Sequence, residues 1–371
     1  MSMANGVAAS RNNSSSRLAI SPLSTLFLYL GTHTIWHCNL CFVCAPLQYF
    51  AISSLCQNSL HYASYPLAPL RATIHLRPSK TGVFWSGKIK AAVLRVESVS
   101  IASISRIENI AWNTAARLLL SAAAAAEKFL SAMIDGYSLV ELQADEIRVF
   151  LTSKRYPKWV LSSIDVSSRF WPSLVVGRRS YKNIKKLLSD TLKNAECSFP
   201  LLVATDGFVF YKKAMRTILG NACIYGQVIK TWRNNRVIDV DRKLVIGNKR
   251  QLEEALQTSE DSEKLNTSFI ERLNLTIRQS LAYLARRSLT HARSQDNLAS
   301  HLELLRCYYN FIRPHSALKF GKLIKTPAMQ AGIATRRLSF RYIFNAVARI
   351  PVFVLNAAPI INPWHCHSLA A

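Results

Sequence analysis

The chain has 371 residues, enough for two or three small domains, and its formal net charge of +26 favours a polyanionic partner such as nucleic acid. Eight cysteines in a chain of this length exclude a disulfide framework as the main source of stability. The charge is uneven, because residues 1–71 carry three arginines and no acidic residue, and beyond Arg341 the only charged residue is Arg349. We therefore predict a basic, nucleic-acid-binding middle between two low-charge ends.

Residues 1–86 are predicted to be a low-charge leader that is disordered or foreign to the rest of the protein. Residues 18–70 contain no Asp, Glu, Lys or Arg, but polar residues and Pro46 interrupt the apolar runs. A membrane-spanning helix needs about 20 predominantly apolar residues, so a membrane-tethered protein is the third-ranked interpretation and requires residues 18–55 to insert. Cys38, Cys41 and Cys44 are spaced as in a zinc knuckle, but the second ligand pair is missing, which disfavours zinc.

Residues 87–134 change character and are predicted to be helical. Three helical segments are indicated between residues 88 and 120, and an alanine-rich run extends the last one toward Met133. Asn109 lies before the third segment, where a tight turn needs a residue that tolerates positive φ. This spacing is typical of a helix-turn-helix DNA-binding segment, with an ordinary helical hairpin as the alternative. The residues placed to face the DNA groove are Trp112, Asn113, Thr114 and Arg117.

Residues 135–341 are predicted to form an α/β domain. Three β-rich runs at 137–145, 159–166 and 172–176 precede a helix at 180–192, a strand at 201–205, a helix at 208–219 and a strand at 222–230. An amphipathic helix is predicted at 266–288, and a further helix at 296–306. The order matches a ribonuclease-H-like, retroviral-integrase-type fold. Residues 231–265 are predicted to be an insertion with two short strands around Asp241 and a charged helix at 249–263, and residues 342–371 to be a tail.

Three acidic residues stand at positions that this fold would bring together. Asp145 and Asp206 each lie at a predicted strand end, and Glu271 lies on the helix predicted beside them. Two divalent ions about 3.5–4 Å apart activate a nucleophile and stabilise a leaving oxygen, and magnesium prefers carboxylate oxygens. Asn274 and Arg278 share a helical stripe with Glu271. We therefore expect a two-metal site in which Asn274 orients Glu271 or a base and Arg278 holds a phosphate.

Each acidic residue also has a structural interpretation. Ser268 and Glu271 have capping-box spacing, and Asp206 with the following glycine forms a turn dipeptide. Asp145 and its neighbour Glu146 could form a solvated strand edge, and Asp165 competes for the first ligand position. The case for a metal site depends on all three acids occurring in the right order of elements.

From about Trp112 to Arg341 the chain resembles DDE transposases of bacterial insertion sequences, closest to the insertion-sequence-one family. The segments that carry the resemblance are LQADEIRVFL, WPSLVVGRRSYKNIKKLL, VATDGF, NTSFIERLNLTIRQSLAYLARRSLTHAR, YYNFIRPHSALKFGK and TPAMQAG. In that family the acid of the first-strand DE pair, the Asp of the TDG step and the Glu of the ERxN helix bind the metals. The resemblance therefore implies that Asp145, Asp206 and Glu271 are the catalytic metal ligands, and the basic residue seven positions after the glutamate is Arg278.

The resemblance further implies a transposase that cleaves and transfers DNA strands with two Mg²⁺ or Mn²⁺ ions. Its partners would be terminal inverted repeats and target DNA, and by analogy it would act as a homo-oligomer on paired ends, in the nucleoid-associated cytoplasm. Arg313 and His315 of the RPHSAL motif are predicted DNA contacts. Two departures are the interval of 65 positions from Asp206 to Glu271 and the absence of the family's zinc ribbon from residues 1–85. A catalytically inactive DNA-binding remnant is therefore the alternative.

Overall fold

The computed structural model describes residues 82–349 except 152, 235, 260–262 and 287–289. The predicted leader up to Thr81, its cysteine cluster and most of the predicted tail lie outside the described residues. The helices are α1 (Gly82–Val96), α2 (Ile101–Ile107), α3 (Trp112–Met133), α4 (Tyr181–Leu192), α5 (Val209–Ile218), α6 (Lys249–Gln257), α7 (Ser268–Ser280), α8 (Gln295–Phe311), α9 (Pro327–Gln330) and α10 (Phe340–Val347). The strands are β1 (Tyr137–Leu151), β2 (Ser153–Asp165), β3 (Leu174–Gly177), β4 (Ala195–Asp206), β5 (Cys223–Arg233), β6 (Arg236–Ile246), β7 (Lys319–Phe320) and β8 (Leu323–Ile324).

A six-stranded mixed sheet organises the fold, with the strand order β3-β2-β1-β4-β5-β6. β1, β4 and β5 run parallel to one another, and the other neighbours are antiparallel. The middle of β4, from Leu201 to Ala204, is buried, as expected of a strand covered on both faces. The predicted mixed α/β class is confirmed.

Helices cover the sheet on both faces. Ser163 of β2 shares a hydrogen bond with Thr191 of α4, whereas the adjacent Ser162 donates to Asn274 of α7. Because consecutive strand residues point to opposite faces, α4 and α7 lie on opposite sides of the sheet. The carboxyl ends of β1, β4 and β5 are left accessible between these layers.

The helices at 82–133 share one hydrophobic core with the sheet domain, because α3 packs against α8 and α10. Asn109 has a φ of 50°, which confirms the predicted turn residue before α3. Arg95 of α1 is fully buried, with its guanidinium 4.0 Å from the centre of the Tyr283 ring and 3.2 Å from Nδ1 of His301. These contacts fasten α1 to the C-terminal half of the chain. No helix of the part of the chain described here is long and apolar enough to span a membrane.

Several predicted boundaries were wrong, including the starts of β2 and β4, which begin at Ser153 and Ala195 instead of residues 159 and 201. β1 continues six residues beyond Asp145, so this residue lies within a strand. β5 continues to Arg233, and β6 is one strand that runs through Asp241, so the supposed insertion begins inside a long hairpin. α6 ends at Gln257 instead of residue 263, where the sequence stays polar without an apolar face to bury.

The helix predicted at 266–288 ends at Ser280, since Leu281 takes up an extended conformation. Leu281 and Leu284 remain buried after the turn, which explains why their spacing imitated a continued helix. The carbonyl oxygen of Ser280 accepts a hydrogen bond of 3.0 Å from the backbone N–H of Ser98, in the connection between α1 and α2.

Candidate active site

Strand register places two of the predicted acids side by side. Ala144 of β1 is aligned with Thr205 of the parallel strand β4, so Asp145 and Asp206 follow at the same level. Carboxylate oxygens of Asp145, Glu146 and Asp206 all lie within 4.8 Å of one another. Among the described residues this is the group of acidic side chains close enough to share a metal ion, and we call it the acid cluster. Three oxygen donors suit a hard divalent cation.

Asn274 of α7 positions Asp145. Its Nδ2 donates a hydrogen bond of 2.9 Å to Asp145 Oδ2, and its Oδ1 accepts one of 3.1 Å from Ser162. Burial raises the pKa of Asp145 to about 6, with repulsion from Asp206 and Glu271 adding to the shift. Asn274, expected on a DNA-contacting stripe, is instead buried, because its amide is held between these two side chains.

Glu146 faces the opposite side of β1 and is more deeply buried, with its side chain 1% exposed. Arg179 donates from one Nη2 atom to Glu146 Oε2 at 3.0 Å and to Asp206 Oδ2 at 2.9 Å. The same guanidinium lies 3.6 Å from the centre of the Phe208 ring. Burial, and to a smaller extent repulsion from Asp206, raises the pKa of Glu146 to about 7. The positive charge of Arg179 lowers this pKa, but by less. Ionising Asp145 and Glu146 in the metal-free protein therefore carries a large desolvation cost, which a bound cation would relieve.

Asp206 is the last residue of β4, as predicted. Its Oδ1 accepts a hydrogen bond of 3.0 Å from the backbone N–H of Phe208, and its Oδ2 accepts from Arg179. The turn interpretation is thus correct as well, since the turn hydrogen bond fixes the orientation of the carboxylate. Tyr211 of α5 is fully buried nearby. Burial raises its pKa well above the ordinary value, and the negative charges of Glu146, Asp145 and Asp206 add to this shift.

Glu271 lies on the first turn of α7 and outside the acid cluster. Its carboxylate accepts a hydrogen bond of 2.6 Å from Thr267 Oγ1 and forms an ion pair with Lys230 of β5. The helix begins after Thr267, so the alternative of a capping box at Ser268 is wrong. The backbone N–H groups of Phe269 and Ile270 both donate to Oε1 of Gln143 on β1, each at 3.1 Å. Glu271 is therefore not needed to cap its own helix.

A cleft of about 420 Å³ joins these groups. Its walls come from the middle of β1, the end of β4, the second half of β5 and the start of α7. The charged and aromatic residues that line it are Asp145, Arg179, Asp206, Phe208, Lys230, Trp232 and Glu271. Glu271 thus faces the same space as two members of the acid cluster.

Asp165, the competing candidate for the first ligand position, has a structural role instead. It is fully buried at the end of β2, where its Oδ2 accepts hydrogen bonds from Ser167 Oγ at 2.8 Å and from the backbone N–H of Ser168 at 2.9 Å. These contacts close the turn that follows β2. Asp165 is not part of the acid cluster.

The predicted groove-facing residues lie on the first two turns of α3. Asn113 and Arg117 are exposed and Thr114 is half-buried, while the opposite face of the helix packs Ala115 and Leu119 into the core. This segment therefore presents polar side chains to solvent from a firmly packed helix.

The remaining predicted DNA contacts differ in accessibility. Arg278 is half-buried. Burial, and to a smaller extent the charge of Arg286, lowers the pKa of Arg278, whereas the charge of Asp145 raises it. Arg313 is exposed. The pKa of His315 is lowered to about 4, first by burial and then by nearby arginines, so its imidazole is neutral at pH 7. A neutral His315 would contact DNA as a hydrogen-bonding group and not as a cation.

Sequence reasoning assigned no role to Arg179 or Lys230 and did not count Glu146 as a ligand. Arg179 follows β3, which runs in the same direction as β1 because both are antiparallel to β2. That direction could have placed Arg179 at the edge of the sheet where Asp145 lies. Lys230 lies within the strand predicted at 222–230, but its ion pair with Glu271 joins residues 41 positions apart, which no local pattern indicates.

Comparison with protein-family models and with curated proteins found no match for this chain.

Proposed function

We propose that this protein is a metal-dependent DNA transposase that cleaves DNA strands and transfers them to a target. The observation that carries the proposal is one cleft lined by Asp145 and Asp206, from adjacent parallel strands, and by Glu271, from the helix packed against β1 and β2. A polynucleotide substrate agrees with the formal net charge of +26, since phosphate neutralisation by Lys and Arg dominates affinity for DNA. The order of strands and helices is consistent with a ribonuclease-H-like domain, which we propose as the fold family.

The residues of the cleft fit the cofactor that such chemistry needs. Two Mg²⁺ or Mn²⁺ ions, when bound, activate the attacking oxygen and stabilise the leaving oxygen. Asp145 and Asp206 would hold them, with Glu271 from α7 as the third ligand and Glu146 as a further carboxylate. Asn274 donates to Asp145 Oδ2 and so fixes the orientation of the carboxylate that lines the cleft. Arg179 holds Asp206 and Glu146 in place while they carry like charges.

DNA recognition is assigned to two surfaces. Asn113 and Arg117 on the exposed side of α3 would contact a groove in a helix-turn-helix arrangement, with Thr114 beside them. Arg278, whose charge acts on Asp145, would hold a phosphate near the cleft, and the exposed Arg313 would hold another phosphate of the DNA. Terminal inverted repeats and target DNA are the proposed partners, bound by a homo-oligomer on paired ends.

One observation favours the alternative of a DNA-binding remnant without catalysis. Arg179 already pairs with Asp206 and Glu146, and Lys230 pairs with Glu271. If these ion pairs outcompete divalent ions, the basic surface would bind DNA while the acid cluster stays neutralised by protein cations.

The test is Mg²⁺- or Mn²⁺-dependent cleavage of supercoiled DNA by the full chain. Asp206→Asn and Glu271→Gln remove single cleft carboxylates, and Asp190→Asn, an exposed acid on α4 outside the cleft, is the matched control. The proposal expects metal-dependent cleavage that is lost in both cleft variants and retained in the control. DNA binding without cleavage at any metal concentration would refute the enzyme and leave the remnant.

A further inference from the structure

The β5–β6 hairpin continues beyond the core into solvent. The two strands pair as far as Arg233 and Arg236, but burial ends at Val228 on β5 and returns only near Leu244 on β6. We call residues 229–233 and 236–243 the hairpin arm. Most of its side chains are exposed, so core packing does not explain their identity.

The arm exposes large apolar side chains where a solvated hairpin would carry polar ones. Trp232 is 62% exposed and Ile238 is 58% exposed. Trp232 is paired with Val237, itself 41% exposed, so both side chains lie on one face of the hairpin. An exposed tryptophan on an extended arm is a mark of a binding surface.

The charge of the arm is divided between its two faces. Lys230 and Arg242 lie on the face of Trp232, because strand residues two apart share a face and Arg242 is paired with Val228. The two acids of the arm, Asp239 and Asp241, are paired with Thr231 and Ile229 and therefore lie on the other face, together with Arg233, Arg236 and Lys243. The tryptophan face thus carries two cations and neither acid of the arm, although Lys230 on this face is ion-paired with Glu271 of the cleft. This balance of charge complements a polyanion.

The same face continues into the cleft. Trp232 and Lys230 both line the space that contains Asp206 and Glu271. A DNA strand whose phosphate lies near the carboxylates would place its neighbouring nucleotides along the tryptophan face of the arm.

From these contacts we infer that Trp232 is a stacking platform for an unpaired base of the DNA strand in the cleft, with Lys230 beside it. The inference rests on the proposed function for the identity of the ligand. Base stacking on an exposed aromatic ring is tolerant of sequence, and nearby cations add to it. A base within a duplex has both faces covered by its neighbours, so the platform selects single-stranded or frayed DNA over an intact duplex.

The experiment measures binding of the full chain to a fluorescein-labelled single-stranded oligonucleotide and to the blunt duplex of the same sequence, in chelator so that no cleavage occurs. Trp232→Leu keeps an apolar side chain and removes the ring, Trp232→Phe keeps a ring, and Thr231→Ala, which changes an exposed side chain on the opposite face of the arm, is the matched control. We expect Trp232→Leu to weaken single-strand binding about tenfold and duplex binding less than about twofold, whereas Trp232→Phe retains most of the affinity. Thr231→Ala should bind both probes like the parent protein.

Equal losses for single strand and duplex in Trp232→Leu, or no loss, would overturn the inference. A second result would also overturn it: the parent protein self-associates, Trp232→Leu does not, and both proteins have the same affinity for each DNA probe. The arm would then bind a second copy of the chain instead of DNA. Because binding is measured without metal, a failed cleavage assay leaves this result intact, and a failed stacking result leaves the proposed catalysis intact.

Discussion

Replacing Glu146 by glutamine should stabilise the metal-free protein at alkaline pH. The side chain is 1% exposed, and burial raises its pKa to about 7 from the ordinary 4.5. The folded state therefore binds more protons than the unfolded state between these two values, and stability falls as pH rises through that window. Glutamine has nearly the same shape, can still accept the hydrogen bond from Arg179, and carries no charge to desolvate.

The size of the effect follows from the two pKa values. Each pKa unit is worth ~1.4 kcal/mol, so ionised Glu146 costs the folded state about 3 kcal/mol at pH 8. At pH 5 the folded-state carboxyl is already protonated, and the cost is below about 1 kcal/mol. Glu146→Gln should therefore raise the free energy of unfolding by about 2–3 kcal/mol at pH 8 and by less than about 1 kcal/mol at pH 5.

Urea denaturation at pH 5 and pH 8 in the presence of chelator would measure this difference. Glu127→Gln, which changes an exposed glutamate on α3, is the control and should have no effect at either pH. A gain of the same size at both pH values, or a loss of stability at pH 8, would refute the reasoning that desolvation of Glu146 outweighs its ion pair with Arg179.

Three further predictions concern the supports of the site. Adding Mg²⁺ at pH 8 should raise the melting temperature of the parent protein but not of Asp206→Asn, because the cation relieves repulsion among the cluster carboxylates; equal shifts in scanning calorimetry would contradict this. Asn274→Ala should abolish cleavage and cost about 1–3 kcal/mol in urea denaturation, since it leaves buried partners unpaired; unchanged cleavage would show that Asp145 needs no positioning. Asn310→Ala should lower the free energy of unfolding by about 3 kcal/mol without changing Mg²⁺ affinity. The reason is that this buried side chain hydrogen-bonds the backbone N–H and C=O of Trp171, each at 2.9 Å. A loss of unfolding free energy below about 0.5 kcal/mol would contradict this prediction.

Local periodicity was enough to predict the order of elements from α1 to α8, with β6 expected as two short strands, because alternation and the helical repeat are properties of each segment. It did not predict β7, β8, α9 or α10, and α10 extends into the residues predicted to be a tail. It failed where a segment's length depends on distant partners. The paired strands β5 and β6 run through residues whose sequence alone is typical of a loop, since each strand supplies the other's hydrogen bonds. The end of α7 was missed because Leu281 stays buried after the helix stops.

The site was predictable to a similar degree. Asp145, Asp206 and Glu271 were singled out by their positions relative to predicted elements, and the structure places them around one cleft. Glu146 and Arg179 were not assigned roles, because their interaction joins residues 33 positions apart and depends on the direction of β3. Such long-range ion pairs leave no pattern in the sequence.

The attachment of α7 at both ends has a mechanical consequence. Gln143 of β1 holds its first turn, and the backbone N–H of Ser98 holds its last residue. A short helix fixed in this way is a rigid strut, because its own hydrogen bonds resist compression and bending, and rigid elements transmit displacement between distant sites. Because α1 packs against α3, which carries the proposed DNA contacts, a movement of α3 on engaging DNA would therefore reach α7 through Ser98. Hydrogen exchange would detect this linkage as altered amide protection in α7 when DNA binds, with α4 on the opposite face of the sheet as the unaffected reference, and equal changes in both helices would rule it out.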